Sequence, residues 1–534
     1  MRNKNKNKTS NDLQSGSIRL FTRNTVFLAV ISGVLLFLSF PKFGSGWFAW
    51  IAFIPLFFAL KKAATFTQGL LLGFIAGIVS YTGIIYWIAF VIINYGYLPL
   101  YTGIILMLLL ACYLSIYIAL FAACIVYFRE KIPILLTAPV LWICFEYGKS
   151  FLLSGFPWEN LGYSQYLNTY FLQFADIAGV FGLSFLIVLM NAAIFEVIDK
   201  RSKRSYAMAC VVFLVLAGVY IYGIFRLDQV DKAVQNSPGM EVSLIQGNID
   251  QSVKWNENYQ RGTLNIYEQL SLRNSPGNES LIIWPETAAP FLFQNISSLH
   301  DQIINLSLKT KSWLLFGSVS RSQTEDRDDF FNSAYLLSPS GEVKGKYDKV
   351  HLVPYGEYVP FRDVFPFVKK LTAGTGDFGR GAGFSPLTLD NKKIGVLICY
   401  ESILPSAARM YKNNSAGLLV NITNDAWFGK TSAPFQHFSM AVFRSVETRL
   451  YLVRAANTGI CGIIDPGGRI IAETDIFRED ALKGYVKFVN IPTFYAEYGD
   501  ILIIICFVLI IFYFFISFKG RVRNGVRKHA GSSK

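Results

Sequence analysis

Three stretches each end an apolar run on a residue able to do chemistry. In LIIWPETAAP, Glu286 follows Trp284 and Pro285. In YDKVHLVPYGEYVP, Lys349, His351 and Glu357 share a segment dense in Pro, Gly and Tyr. In KKIGVLICYES, the Cys399 thiol closes a strand-like run and Glu401 stands two positions on. Carboxylate, ammonium and thiol together supply a base, a cation and a nucleophile. Thiolate is the nucleophilic form, and a nearby ammonium favours it. A glutamate whose pKa is raised by burial can take the thiol proton and return it to a leaving group. The lysine can also stabilise the oxyanion of a tetrahedral intermediate, beside backbone N–H groups just after the cysteine. Taken singly, each residue has a plainer reading: Glu286 caps a helix, Lys349 is solvated, Cys399 packs in a core. The four His (His300, His351, His437, His529) show no ligand spacing, so no metal and no cofactor is expected. There is no GxSxG elbow and no phosphate loop.

The elements that must position these residues divide sharply. The chain has 534 residues, 52% hydrophobic and 16% charged, with a mean hydropathy of +0.37. Soluble domains carry about 25% charged residues. Apolar stretches of membrane-spanning character, for which about 20 residues are needed, run over Thr25–Phe40, Gly46–Leu60, Thr67–Ile93, Leu98–Phe128, Ile134–Leu152, Tyr170–Val197, Tyr206–Phe225 and Ile501–Phe518. The first two are short, and Thr25–Phe40 has a signal-peptide alternative, disfavoured by the Pro-Lys-Phe-Gly that follows it. The net charge of +14 is placed by topology rather than for nucleic acid. Arg2, Lys4, Lys6, Lys8, Arg19 and Arg23 precede the first span. Further basic residues sit at Lys61–Lys62, Arg129 and Lys131, Lys200–Arg204 and Lys519–Lys528, while alternate loops are nearly free of them. Basic loops stay in the cytoplasm, so both termini are expected inside and Arg226–Asp500 outside.

That outer segment changes texture. EVSLIQGNI, LIIWPE, SWLLFGSV, SAYLLS, IGVLICY, GLLVNIT, YLVRAAN and YVKFVNI read as strands, several apolar throughout like buried strands of a layered α/β domain. Asn256–Arg273, Ser297–Thr310 and Ser432–Arg449 read as helices. The expected domains are a basic leader (1–23), a seven-span membrane domain (24–226), an outer catalytic domain (227–499), an eighth helix (500–518) and a basic tail (519–534). Of seven Cys, five lie in spans as small apolar packers. Cys399 and Cys461 lie outside, where a disulfide between them stays open.

WPET, DKVHLVPYGEYVP and GVLICYES, in that order, resemble the Glu–Lys–Cys signature of the nitrilase (carbon–nitrogen hydrolase) superfamily. Flanked by membrane spans, the set is similar to the apolipoprotein N-acyltransferase family. GFPWENLGYSQ (Gly155–Gln165), VSLIQGNIDQSVKW (Val242–Trp255), NITNDAWFG (Asn421–Gly429) and RAANTGICGIIDPGGRI (Arg454–Ile470) resemble further segments of that family. The resemblance implies a multi-span α-helical membrane protein carrying an extracytoplasmic α/β nitrilase-type (αββα) sandwich. It implies Glu286 as general base, Lys349 as oxyanion-stabilising lysine and Cys399 as acyl-accepting nucleophile. Glu357 resembles an additional glutamate of the site, Tyr400 and Glu401 shape it, and Trp255 resembles a sensitive tryptophan near the entrance. For these supporting residues, purely structural roles stay open. The implied partners are a glycerophospholipid donor, a diacylglyceryl apolipoprotein acceptor and membrane lipids, with no nucleic acid. The implied place is the bacterial inner membrane. Two rival classes stay open on the sequence: a membrane-tethered amidase acting on a small amide, and a non-enzymatic scaffold or transporter.

Overall fold

The structure, a computed structural model, describes residues 22–275, 277, 279–323, 328–354, 356–358 and 378–531. Nearly all of the basic leader therefore lies outside the described residues. The first half is helical: α1 (Arg23–Phe37), α2 (Ile54–Lys61), α3 (Phe66–Ile85), α4 (Trp87–Tyr95), α5 (Leu100–Phe128), α6 (Ile134–Phe151), α7 (Thr169–Leu172), α8 (Ala175–Lys200) and α9 (Lys203–Gln235). Among the described residues four helices, α3, α5, α8 and α9, are long and apolar enough to cross a membrane; the apolar parts of α1, α2, α4 and the last helix are shorter.

Three expected spans are broken. Thr67–Ile93 divides at Tyr86 into α3 and α4; in the other two the partners that break them come from far away in sequence. Gly46–Leu60 is a tight 3₁₀ turn at Gly46–Trp50 followed by the short α2. Asn191 of α8 caps the break: its Oδ1 accepts from Phe53 N at 2.9 Å and its Nδ2 donates to Ala49 O at 2.9 Å. Tyr170–Val197 divides into α7 and α8, and α8 itself is interrupted at Gly179, whose φ is +61°. A side chain there would meet the Tyr495 ring at 2.6 Å, so glycine serves both the backbone and the packing. In the other direction, α9 outruns its span. Its 33 residues cover about 50 Å at 1.5 Å per residue, against a hydrocarbon core of about 30 Å. Its far end joins the second half of the chain, with Asp231 paired to Arg469 and Val230 packed on Val489 and Ile491.

The second half contains β1 (Gly239–Gln246), α10 (Glu257–Arg273), β2 (Leu281–Ile283), β3 (Ala289–Leu292), α11 (Ser298–Thr310), β4 (Trp313–Gln323), β5 (Asp328–Leu337), β6 (Val343–Asp348), β7 (Leu387–Leu389), β8 (Lys392–Ile398), α12 (Pro405–Asn413), β9 (Leu418–Thr423), α13 (Ala433–Thr448), β10 (Tyr451–Ala456), β11 (Gly462–Ile464), β12 (Ile470–Glu473), β13 (Asp480–Lys487) and α14 (Phe494–Tyr498). A final helix, α15 (Ile501–Gly531), follows. One sheet runs β13-β1-β2-β4-β5-β6 with β3 on β4; the other runs β12-β11-β10-β9-β8-β7. The centres are parallel (β1/β2/β4 and β8/β9/β10) and the flanks antiparallel.

Side-chain alternation makes the sandwich. On β2 and β4, Leu281, Ile283, Trp313 and Leu315 point into the core between the sheets. Ile282, Leu314 and Phe316 point the other way, into a second core with Leu264 and Tyr267 of α10 and Ile303 and Leu306 of α11. Across the sandwich, α12 and α13 cover the other sheet, which gives the αββα order. α13 is buried nearly all round because its far side lies against α8. That junction is polar. Arg449, after α13, donates to Asp176 Oδ2 at 2.7 Å, Gln173 Oε1 at 2.5 Å and Pro466 O at 2.9 Å; Arg226 of α9 meets the same Asp176 oxygen at 2.7 Å. Buried charges of this kind persist only when paired, so the junction fixes one arrangement of helices against sandwich.

Candidate active site

Glu286, Lys349 and Cys399 sit at the ends of β2, β6 and β8, on the rim shared by the two sheets. Glu286 leaves β2 beside Gly317 of β4, where any Cβ would meet Thr287 N at 2.4 Å and Glu286 Cα at 2.7 Å. Lys349 follows β6 directly, and its N–H donates to Asn332 O on β5 at 2.9 Å. Its ammonium donates to Glu357 Oε1 at 3.0 Å and lies 2.9 Å from Oε2, with Glu286 Oε1 at 3.8 Å. The structure thus brings Glu357 into contact with the expected triad lysine.

Cys399 stands just past β8 with φ +52°. A non-glycine residue in the left-handed region is strained, and such strain clusters where a side chain must be aimed. Here it turns the thiol away from the strand and opens a 3₁₀ turn whose first N–H groups lack intrahelical acceptors. Burial, and then the Glu286 charge, push the Cys399 thiol well up; Lys349 pulls it down, Asp425 adds to the rise and the Thr423 hydroxyl opposes it. From the sequence, the lysine is expected to favour thiolate. In the fold burial wins, so the resting group is a thiol. For Lys349 the balance is reversed: burial lowers it, but Glu357, then Glu286 and Cys399, raise it on balance. It stays an ammonium.

Glu401 is fully buried and serves as a tie. Its Oε1 accepts from Val350 N (2.8 Å) and His351 N (2.9 Å), its Oε2 from Ile398 N (2.8 Å), and Tyr347 Oη donates to both, at 2.9 and 3.0 Å. Val350 follows Lys349 and Ile398 precedes Cys399, so one carboxylate fixes the lysine segment to the cysteine turn. Burial pushes Glu401 up to about 7 against the N–H donors of His351, Ile398 and Val350 and the Lys349 charge. Tyr400 stacks on the His351 ring, 5.9 Å between centroids. Burial, then Lys349 and Arg380, lower His351 to about 4, so it is neutral near pH 7. The Trp255 indole is 41% exposed, one residue from the wall of the site.

Two residues of that wall were not foreseen. Asn332 Nδ2 donates to Glu286 Oε1 at 2.7 Å and to Glu357 Oε1 at 2.9 Å, bridging both carboxylates, while its Oδ1 has no partner among the described residues. In sequence it is one polar residue opening the run SAYLL, and that interruption was the only signal. Lys254 is wholly buried and donates to Glu286 O at 3.1 Å. Burial lowers it to about 8, with Glu286 opposing. Its signal was a lysine beside an exposed tryptophan, which reads as solvated. Cys461 is a free, buried thiol whose Sγ accepts from Ala456 N at 3.3 Å, so the open disulfide alternative closes.

This arrangement, a thiol on a strained turn facing a carboxylate and a doubly held lysine, suits acyl chemistry at a carbonyl. Two family models match the chain: the apolipoprotein N-acyltransferase N-terminal domain over residues 32–193 and carbon-nitrogen hydrolase over residues 241–491. An apolipoprotein N-acyltransferase of Geobacter metallireducens is 45% identical over 90% of this chain and 92% of its own length. The chain belongs to the apolipoprotein N-acyltransferase family. Other members named alike are more distant: that of Pasteurella multocida is 31% identical over 89% of this chain and 92% of its own, and that of Rickettsia prowazekii 33% identical over 70% and 75%. The two matched family domains divide where the fold does, helices before β1 and sandwich after it.

Proposed function

We propose that this chain moves a fatty acyl chain from a membrane glycerophospholipid, through a thioester on Cys399, to the α-amino group of an N-terminal diacylglyceryl-cysteine of apolipoproteins, the last step of bacterial lipoprotein maturation. The observation that carries this reading is the Lys349 ammonium held between Glu286 and Glu357 beside a buried thiol at positive φ, in a domain packed on apolar helices.

In the first half, Glu286 takes the thiol proton as Sγ attacks the ester carbonyl. The oxyanion is met by Lys349 and the Tyr400 N–H. Collapse breaks the ester C–O bond, and Glu286 returns its proton to the departing lysophospholipid oxygen. In the second half the acceptor amine attacks the thioester carbonyl, Glu286 takes the amine proton, and the C–S bond breaks to an amide and a reprotonated thiol. Each half uses one base and one oxyanion site, which suits ping-pong order. Glu357 and Asn332 hold the lysine and the base; Glu401 sets their distance from the thiol; Tyr400 and Trp255 border the approach.

The apolar helices give a reason for the architecture. Both substrates carry acyl chains, and a site resting on the bilayer receives them without extraction into water. The alternation of basic loops supports a bacterial cytoplasmic-membrane protein with both termini inside and residues 227–499 outside. Purified protein with phospholipid and a diacylglyceryl-cysteine peptide bearing a free amine is expected to yield lysophospholipid and an N-acylated peptide. Free fatty acid with unmodified peptide would mean that water, not the peptide amine, accepts the acyl chain, and would overturn the transferase reading. Export-dependent reporters are expected to be active within residues 240–489 and silent after residue 519; the reverse pattern removes the outer placement.

A further inference from the structure

Behind Cys399 lies a second, wholly buried polar assembly that the acyl-transfer steps do not use. His437 of α13 places Nδ1 3.1 Å from Asp425 Oδ1 and Nε2 3.0 Å from Ser402 Oγ. Those contacts outline a Ser–His–Asp arrangement, but all three side chains are at most 1% exposed. No substrate carbonyl can reach the serine. Its hydroxyl instead donates to Cys399 O at 3.0 Å, and His437 Nε2 faces the same oxygen at 3.2 Å, with Asn421 Nδ2 more distant at 3.4 Å.

The network also assigns the proton. Arg454 Nη2, which can only donate, lies 3.0 Å from His437 Nδ1 and 2.8 Å from Asp425 Oδ2, and Thr423 Oγ1 donates to Asp425 Oδ1 at 3.0 Å. Burial and the Arg454 charge keep the ring neutral. Nδ1 therefore accepts from Arg454, the Asp425 Oδ1 beside it takes its proton from Thr423 rather than from the ring, and the single N–H sits on Nε2, aimed at Cys399 O. The ring is held in place by Trp158, from the loop after α6, at 5.8 Å and by Phe428 at 6.0 Å between centroids.

The carbonyl that receives these donors belongs to the peptide whose N–H is that of Tyr400. Hydrogen bonds to a peptide oxygen polarise its N–H and fix the plane of the group. We propose that His437, oriented by Arg454, which Asp425 holds, and assisted by Ser402, is a positioning residue that aims and polarises the Tyr400 N–H toward the oxyanion formed on the acyl donor. This rests on the acyl-transfer reading of Cys399.

Polarisation strengthens a neighbouring hydrogen bond by about 10–30%, and an oxyanion donor is worth about a hundredfold to a thousandfold in rate. That fraction of the logarithm is about twofold to eightfold. The test compares two reactions of Cys399 in the full chain in detergent: acylation by phospholipid, which forms an oxyanion, and alkylation by iodoacetamide, which does not. His437→Leu is expected to slow acylation by about twofold to eightfold with KM unchanged and alkylation unchanged. His437→Gln, whose amide N–H reaches the same place, is expected to restore acylation. Ser402→Ala is expected to lower acylation alone in the same way, and it decides the matter should His437→Leu fail to fold. Acylation at the wild-type rate in His437→Leu, or a parallel fall in alkylation, overturns the proposal. Absence of any acyl group on Cys399 in the wild type overturns the acyl-transfer reading itself, and this inference with it.

Discussion

Glu401→Gln separates what holds the site together from what makes it react. The substitution keeps size and removes the charge. With its oxygen at the Oε1 position, glutamine still accepts from Val350 N and His351 N, but its amide N then opposes Ile398 N, 2.8 Å from the present Oε2. One buried N–H loses its acceptor, at about 1–3 kcal/mol, and two others lose a charged acceptor, at about 1 kcal/mol each. Against this, a buried carboxylate raised to about 7 costs roughly 3 kcal/mol when ionised, at 1.36 kcal/mol per unit. Near pH 8 the two nearly cancel, so the variant is expected to stay folded and within about 2 kcal/mol of wild type in stability. The tie is broken on the Ile398 side, which releases Cys399 relative to Lys349. A shift of about 1 Å costs about a hundredfold. Single-turnover acylation with labelled phospholipid should fall by about that factor while the melting temperature in detergent barely moves. Glu401→Ala leaves three buried N–H groups unpaired, about 3–9 kcal/mol offset by the same relief of roughly 3 kcal/mol, and should melt well below Glu401→Gln. A Glu401→Gln variant that turns over at near the wild-type rate would refute the tie.

Asn332→Ala removes hydrogen bonds to two carboxylates, each worth about 1.5–3 kcal/mol, and should cut acylation by about tenfold to a hundredfold; Asn332→Asp adds a third negative charge and should cut it further, so equal activities for the two would contradict the bridging role. Lys254 is lowered to about 8 in the fold and to about 10.4 when unfolded. Between those values the unfolded chain binds more protons, so wild type should gain stability as pH rises from about 8 to about 10.4; melting curves of Lys254→Met over that range should lack the gain, and parallel curves would be against it. Cys461→Ala should keep full transfer activity, since its thiol is hydrogen-bonded to Ala456 and Thr474 rather than to Glu286, Lys349 or Cys399; loss of transfer with the protein folded would give that thiol a role the site has no place for.

The strands that hold Glu286 and Cys399 were legible because β1, β2, β4, β5, β8, β9 and β10 carry apolar runs with clear ends, as were α10, α11 and α13 from their bounds; β13 meets the expected YVKFVNI only over Tyr485–Lys487, since none of its first half is buried. β3, β6, β7, β11 and β12 were not: most are short, and the exposed alternation in β6, β7 and β12 resembles loop. The breaks in Gly46–Leu60 and Tyr170–Val197 depend on Asn191 and Tyr495, which no local window contains. The same limit governs the site. Glu286 and Cys399 could be found because each ends an apolar run, and Lys349 and Glu357 because their shared segment is dense in turn residues. Glu401 was noticed beside the cysteine, but its role lies in N–H groups about fifty positions earlier. Asn332, Lys254 and His437 act through partners on other elements, and alone each looks like an ordinary residue of a strand, turn or helix.

The central claim is that Cys399 carries the acyl chain. Purified protein incubated with chain-labelled phospholipid, without any acceptor, should release lysophospholipid and retain label on one peptide spanning Cys399. Hydroxylamine should remove the label, as for a thioester, and a diacylglyceryl-cysteine peptide with a free amine should discharge it while an N-blocked one should not. Cys399→Ala should show neither label nor lysophospholipid. Label on another residue, or transfer that survives Cys399→Ala, would contradict the account.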